Sequence, residues 1–197
     1  VRLAVNPEGT NAGESSGNVI LLGREACLAA QCIAEKEFQH VGPEGFVINA
    51  HNGRIAIAGL HGDGTIDGVV RYLEDHGLRL YQPSRRCVPD LSEDLLHELY
   101  LLDWPYFRGC TALRVDWRCD GQTETTETEG ADAQVAARTL AAAIKDIARS
   151  GRREVPSSLA AEASESALSR YVAAKLLWDP FADATRLIRE FGECRQD

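Results

Sequence analysis

The chain has 197 residues, 44% of them hydrophobic and 26% charged, which is enough for one or two domains with a buried core. Its formal net charge is −9 with no Lys/Arg stripe, which argues against a nucleic-acid partner, because phosphate binding needs clustered positive charge. No apolar run approaches the ~20 residues of a membrane helix, so no membrane partner is expected.

The sequence begins at Val1, contains no Met and shows no charged-then-apolar leader, the pattern expected of a processed or excised piece of a soluble protein. The six cysteines are Cys27, Cys32, Cys87, Cys110, Cys119 and Cys194, with no CxxC among them. Their even number permits disulfides, but Cys27 and Cys32 fall in an alanine-rich, helix-like stretch and read as buried free thiols. The histidines are dispersed without ligand spacing, so neither a metal site nor a cofactor is expected.

In chain order, "RLAV" alternates weakly and suits a strand, and "NPEGTNAGESSG" is loop-like. "NVILLG" is a short apolar run ending at Gly23, the mark of a buried strand. "REACLAAQCIAEKEF" predicts one helix with Ala26, Ala29, Ala30, Ile33 and Ala34 on its apolar face. "FVINAHNGRIAIAGL" predicts a hairpin turning at Asn52-Gly53, where both positions accept positive φ. After "GLHGDGT", a helix capped by Asp63 or Thr65 is expected to bury Ile66, Val69, Val70 and Leu73 and to end at Gly77. "LRLYQP" returns as a strand, "SRRCVPDLSEDLL" connects, and "HELYLLDWPYFRGCTALRVDW" is strand-prone with a break at Pro105. "CDGQTETTETEG" is an acidic loop. Beyond it, "ADAQVAARTLAAAIKDIARSGRR" is a helix by propensity, and the remainder predicts two helices parted at Asp179-Pro180, the second capped by Asp183.

The reading is therefore an α+β fold: a mixed or antiparallel sheet with helices on one face, followed by a C-terminal helical segment. Residues 1–118 form the α+β domain, 119–130 an acidic linker and 131–197 the helices. A C-terminal apolar face of Tyr171, Ala174, Leu177, Trp178, Leu187, Ile188 and Phe191 is expected to pack on this chain's sheet or on a second copy, and a homo-oligomer through an exposed apolar face is a possible partner.

"GLHGDG" is G-x-x-G-x-G, not the dinucleotide G-x-G-x-x-G, and it follows the second strand of a hairpin. Asp63 would repel a phosphate. The glycines read as a joint that folds a helix back onto its sheet.

The stretch "EGFVINAHNGRIAIAGLHGDGTIDGVVRYLEDHGLRLYQP" resembles the N-terminal accessory domain of α-glucuronidases and β-hexosaminidases of glycoside hydrolase families 67 and 20. It is also similar to that domain in an uncharacterised bacterial family, where it precedes a barrel. The resemblance rests on Glu44-Gly45-Phe46, Ile55-Ala56-Ile57-Ala58-Gly59, Gly64 to Gly68, Leu73-Glu74 and Leu80-Tyr81-Gln82-Pro83, and covers about residues 1–108. It departs at Asp67, where a tyrosine is common. "SRYVAAKLLWDPFADATRLIREF" resembles a helical segment that follows the barrel in the bacterial family. A (β/α)8 barrel takes ~250 residues. The span from Gly109 to Arg170 is far too short for one.

What the resemblance implies is a non-catalytic accessory domain. No catalytic residue is assigned. The acids Glu124, Glu127 and Glu129 lie in a polar run with no apolar wall to raise a pKa, and read as a solvated linker. In "WPYFRG", similarity to the family 20 pattern implies that Arg108 holds a sugar, with Asp116 echoing a second element of that pattern at altered spacing. Trp104 and Trp117, with Tyr106 and Phe107, complete an aromatic group suited to stacking on carbohydrate. The competing readings are a carbohydrate-binding module using these residues, and an interaction domain presenting an apolar face.

Overall fold

The computed structural model describes residues 18–80, 86–87, 98–108, 131–163 and 166–193. In chain order the elements are β1 (Val19–Leu22), α1 (Arg24–Ala29), α2 (Glu35–Val41), β2 (Phe46–His51), β3 (Arg54–Gly59), α3 (Gly62–Asp75), β4 (Arg79–Leu80) and β5 (Arg86–Cys87). They continue with β6 (Leu99–Asp103), α4 (Ala131–Arg149), α5 (Ser157–Ala163), α6 (Ala167–Trp178) and α7 (Ala184–Glu193). Contacts divide the chain into two units, Val1–Leu78 with Val88–Trp104, and Arg79–Cys87 with Pro105–Asp197.

The first unit is built on a four-stranded sheet in the order β1-β3-β2-β6. β1 runs parallel to β3, while β2 pairs antiparallel with both β3 and β6. This is the mixed sheet of the expected α+β class. The hairpin turns at Asn52 (φ 51°) and Gly53 (φ 74°), the two left-handed positions that the twist of paired strands demands.

Side chains alternate across the sheet, and each face has its own cover. Val47, Ala56 and Ala58 point to one face, where they bury Cys27 of α1 and Phe38 and Val41 of α2. Phe46 and Ile57 point to the other face, against Gly68 of α3. Helices therefore lie on both faces, where one had been expected. The extra layer comes from splitting the single helix read from "REACLAAQCIAEKEF". α1 stops in a Schellman motif: Gln31 takes φ 55°, its N–H bonds to Leu28 O at 3.0 Å, and Cys32 N–H bonds to Cys27 O at 3.0 Å. Glu37 then starts α2, its Oε2 accepting from Ala34 N–H at 2.5 Å. Ala26, Ala29 and Ala34 are consequently exposed, while Ile33 is buried as expected and Cys27, Phe38 and Val41 are buried with it.

α3 buries a different stripe from the expected one. Ile66 is 54% exposed, while Gly64, Gly68 and Tyr72, four residues apart, face inward. A Cβ on Gly64 would meet Gly45 O at 2.4 Å, and one on Gly59 would meet the Gly64 backbone at 2.7 Å. A Cβ on Gly68 would meet Ile57 Cγ2 at 2.7 Å. The helix lies so close to the strands that only glycine fits. Its N-cap is His61, with no side-chain cap. Thr65 acts instead as a clasp, its Oγ1 accepting from Gly59 N–H at 3.0 Å. Gly77 (φ 90°) ends the helix where expected, with Leu78 N–H bonded to Leu73 O at 3.0 Å.

The second unit is a helical core. Leu140 and Ile144 of α4 pack with Leu168, Tyr171, Val172 and Leu176 of α6 and with Ile188 and Phe191 of α7. α4 presents alanines at Ala137, Ala141 and Ala148, whose small side chains let neighbouring helices approach. Three helices, not two, follow the break at Val155-Pro156, because Ser166 starts a new one: its Oγ accepts from Ser169 N–H at 3.0 Å. Asp183 caps α7 as expected, Oδ1 accepting from Thr185 N–H at 2.9 Å and Arg186 N–H at 3.2 Å.

The C-terminal apolar face is buried inside this helical unit, with Tyr171, Leu177, Ile188 and Phe191 in its core. That replaces the expectation that it seeks the sheet, which α1, α2 and α3 already cover. Trp178, expected on the same face, is only partly buried. Residues 105–108 also belong here. Phe107 is wholly buried among the helices, and the N–H groups of Tyr106 and Phe107 bond to Trp178 O (2.9 Å) and Leu177 O (3.2 Å) at the end of α6. The "RLAV" strand and the acidic linker at 119–130 lie outside the described residues. No described helix is long and apolar enough to cross a membrane.

Candidate functional site

Of the four residues expected to hold a sugar, Asp116 and Trp117 lie outside the described residues. Trp104 ends the first unit and Arg108 belongs to the second.

Arg108 sits on a short extended segment clasped by the helical unit. Its N–H donates to Arg153 O at 2.8 Å, and it forms a parallel bridge with Glu154. With Phe107 turned into the core, alternation leaves Arg108 exposed. The ring of Tyr106 lies under the Arg153 guanidinium at 3.8 Å, a cation–π contact, and its hydroxyl donates to Ala148 O at 3.1 Å. Arg153 Nη1 donates to Tyr106 O at 3.0 Å. Phe181, 62% exposed, meets Tyr106 edge-on at 6.1 Å. "PYFR" is thus a buckle: it caps α6, fills the core with Phe107 and stacks Tyr106 beneath Arg153.

Trp104 has a different setting. It is 47% exposed and meets His40 of α2 edge-on, centroids 5.5 Å apart. Four residues earlier, on β6 itself, stands Tyr100, 58% exposed, while Trp104 lies just past the strand's last residue, Asp103. Its hydroxyl donates to Glu37 Oε1, also on α2. That hydrogen bond to a carboxylate, with a smaller contribution from burial, pushes the Tyr100 phenol up to about 12. Both rings are therefore fixed by one helix, Tyr100 through Glu37 and Trp104 through His40 one turn further on. Tyr100, Glu37 and His40 escaped the reading of the sequence. The signal was the i, i+4 spacing of two aromatics in "YLLDW", which in extended chain points both the same way.

The glycine turn at the start of α3 is filled by protein. Gly45 O, the Gly59 backbone and the Thr65 clasp occupy the space beside its first turn. Among the described residues no group of three or more His, Cys, Asp or Glu side chains is placed to hold a metal ion. Burial pushes the Cys27 thiol up to about 12, with the neighbouring Cys32 adding to the effect.

No family model, no curated protein and no solved structure matches this chain.

Proposed function

We propose that this chain is a non-catalytic accessory domain of a glycoside-hydrolase-like protein. The observation that carries the reading is the glycine lock. Gly45, Gly59, Gly64 and Gly68 all belong to the segments on which the resemblance rests, and each sits where a Cβ would meet a neighbour closer than 3.0 Å. A sequence pattern that recurs for such a reason specifies how a helix seats on a hairpin, so it speaks for a domain type. It supplies no acid, base or nucleophile. The helices α4 and α5 occupy the span where the resembled bacterial family carries a barrel, which supports the same reading. The test is hydrolysis of aryl glucuronides and aryl N-acetylhexosaminides by the purified chain. No turnover above buffer is expected; sustained turnover would overturn the proposal.

A second reading, a carbohydrate-binding module, is favoured by one feature: the two half-exposed rings of Tyr100 and Trp104, each held by α2. Fixed aromatic faces lose little entropy when a sugar ring stacks on them. Titrating neutral oligosaccharides while following tryptophan fluorescence tests it. A saturable change that Trp104→Ala abolishes supports the module; a flat response across a broad panel removes it.

A further inference from the structure

We propose that Cys27 and Cys32 form a dithiol modification site, which a low-molecular-weight disulfide oxidises to an intramolecular bridge across the end of α1. The Schellman motif is what brings the two together. A contact between the residue at the third position from the helix end and the second residue past the cap frequently accompanies this geometry, and Cys32 packs against the cluster that holds Cys27. Here those positions are Cys27 and Cys32, joined by the 3.0 Å bond from Cys32 N–H to Cys27 O. Cys32 is fixed on its other side as well, because Asn49 Nδ2 donates to Cys32 O at 2.7 Å from β2.

Both sulfurs belong to one apolar cluster between α1, α2 and the sheet. Both are free thiols: Cys27 Sγ lies 3.7 Å from Leu21 O and also meets the Ile57 backbone, and Cys32 Sγ lies 3.5 Å from Ala30 O. Their exposure differs and sets the order of events. Cys27 is wholly buried and Cys32 partly exposed, so the reagent reaches Cys32. The Cys32 thiolate attacks one sulfur of the small disulfide, whose S–S bond breaks and releases one thiolate. The Cys27 sulfur, once deprotonated, attacks Cys32 Sγ and expels the second thiolate. The two cysteine protons end on the two released thiols. The protein loses two electrons and the small disulfide gains them.

The closing step is the slow one, since the buried Cys27 thiol gives up its proton reluctantly. At equilibrium, however, the fold favours closure because it already holds the pair together.

The test uses the folded, full-length chain in glutathione redox buffers, followed by acid quench, alkylation under denaturing conditions and tryptic digestion. One tryptic peptide, Glu25–Lys36, carries both cysteines and no other. Expected is a peptide two hydrogens lighter that takes up no alkyl group. Its equilibrium constant for closure should exceed that of the synthetic peptide Glu25–Lys36 by at least tenfold. Cys27→Ser should instead stop at a single glutathionyl group on Cys32. A doubly alkylated peptide, a stable glutathionyl adduct in the wild-type chain, or closure no more favourable than in the free peptide would overturn the proposal.

Discussion

Gly64→Ala is the sharpest probe of how the first unit is held together. In an open helix this substitution stabilises, since alanine exceeds glycine by ~1 kcal/mol in helix propensity. At Gly64 the new methyl would lie 2.4 Å from Gly45 O and 3.2 Å from Gly59 Cα. Both obstacles are backbone, so no rotamer change relieves them, and α3 must lift off the strands. Overpacking of this kind costs ~1–3 kcal/mol, and an unyielding neighbour puts Gly64 at the upper end. Subtracting the propensity gain leaves a net loss of about 2 kcal/mol. For a unit of under a hundred residues that lowers the Tm by roughly 8–16 °C. Gly62→Ala is the internal control, because nothing lies within 4 Å of its added Cβ. Gly68→Ala should fall between them, since its nearest obstacles are the side chains of Ile57 and Phe46. Thermal unfolding of the three variants, with hydrogen exchange on the β2–β3 hairpin to localise the loss, gives the ranking. If Gly64→Ala behaves like Gly62→Ala, the close seating of α3 is wrong, and with it the physical meaning assigned to the glycine pattern.

Phe107→Ala should remove ~3–5 kcal/mol from the helical unit, because the ring is wholly buried among helices and leaves a cavity; far-UV circular dichroism against urea measures it, and a loss below 1 kcal/mol would separate residues 105–108 from that unit. Asp183→Ala deletes both side-chain bonds to the first turn of α7 and should cost ~1 kcal/mol, read as faster amide exchange at Thr185 and Arg186, with no change in their exchange ruling out the cap. The Tyr100 phenol is raised in the folded state, so its stabilisation is complete below the ordinary tyrosine range near 10 and fades as pH climbs through about 12. Tyr100→Phe should flatten stability against pH in that window, and an unchanged slope would show that Glu37 does not hold the phenol.

The hairpin, α3 with its Gly77 stop, β6 and the long helix α4 were legible because their signals are local. Asn52-Gly53 fixes a turn by backbone preference, and Asp183 fixes a cap by hydrogen bonding. The split between α1 and α2 was not legible. Its left-handed stop falls on Gln31, a residue with no turn preference, and what holds it there is tertiary: Asn49 from β2 grips the carbonyl of the next residue, Cys32. The buried stripe of α3 was misread for a related reason. Pattern reading rewards large apolar residues, so it chose Ile66 and Val69 and passed over Gly64 and Gly68. At short range, the absence of a side chain decides which face of a helix turns inward.

The same distinction bears on the candidate site. "WPYFRG" reads along the chain as one motif, yet its residues serve different ends. Trp104 stands with Tyr100 on α2, its ring half open to solvent. Phe107 is core, and the backbone on either side of it caps α6 and bridges to Arg153 and Glu154. A sugar-holding arginine is usually rigid because a surrounding wall fixes it. Here the backbone of Arg108 is rigid because it completes a helical core, a demand that would select Phe107 and its neighbours with or without a ligand. Tyr100 on β6 and Trp104 just past it are under no such demand, because neither exposed ring fills a core. Aromatic rings left half open to solvent, filling no core, are the better place to look for binding. A sugar meeting this chain should find the Tyr100–Trp104 face a better site than Arg108. Trp104→Ala should then remove binding, and Arg108→Ala should leave it intact.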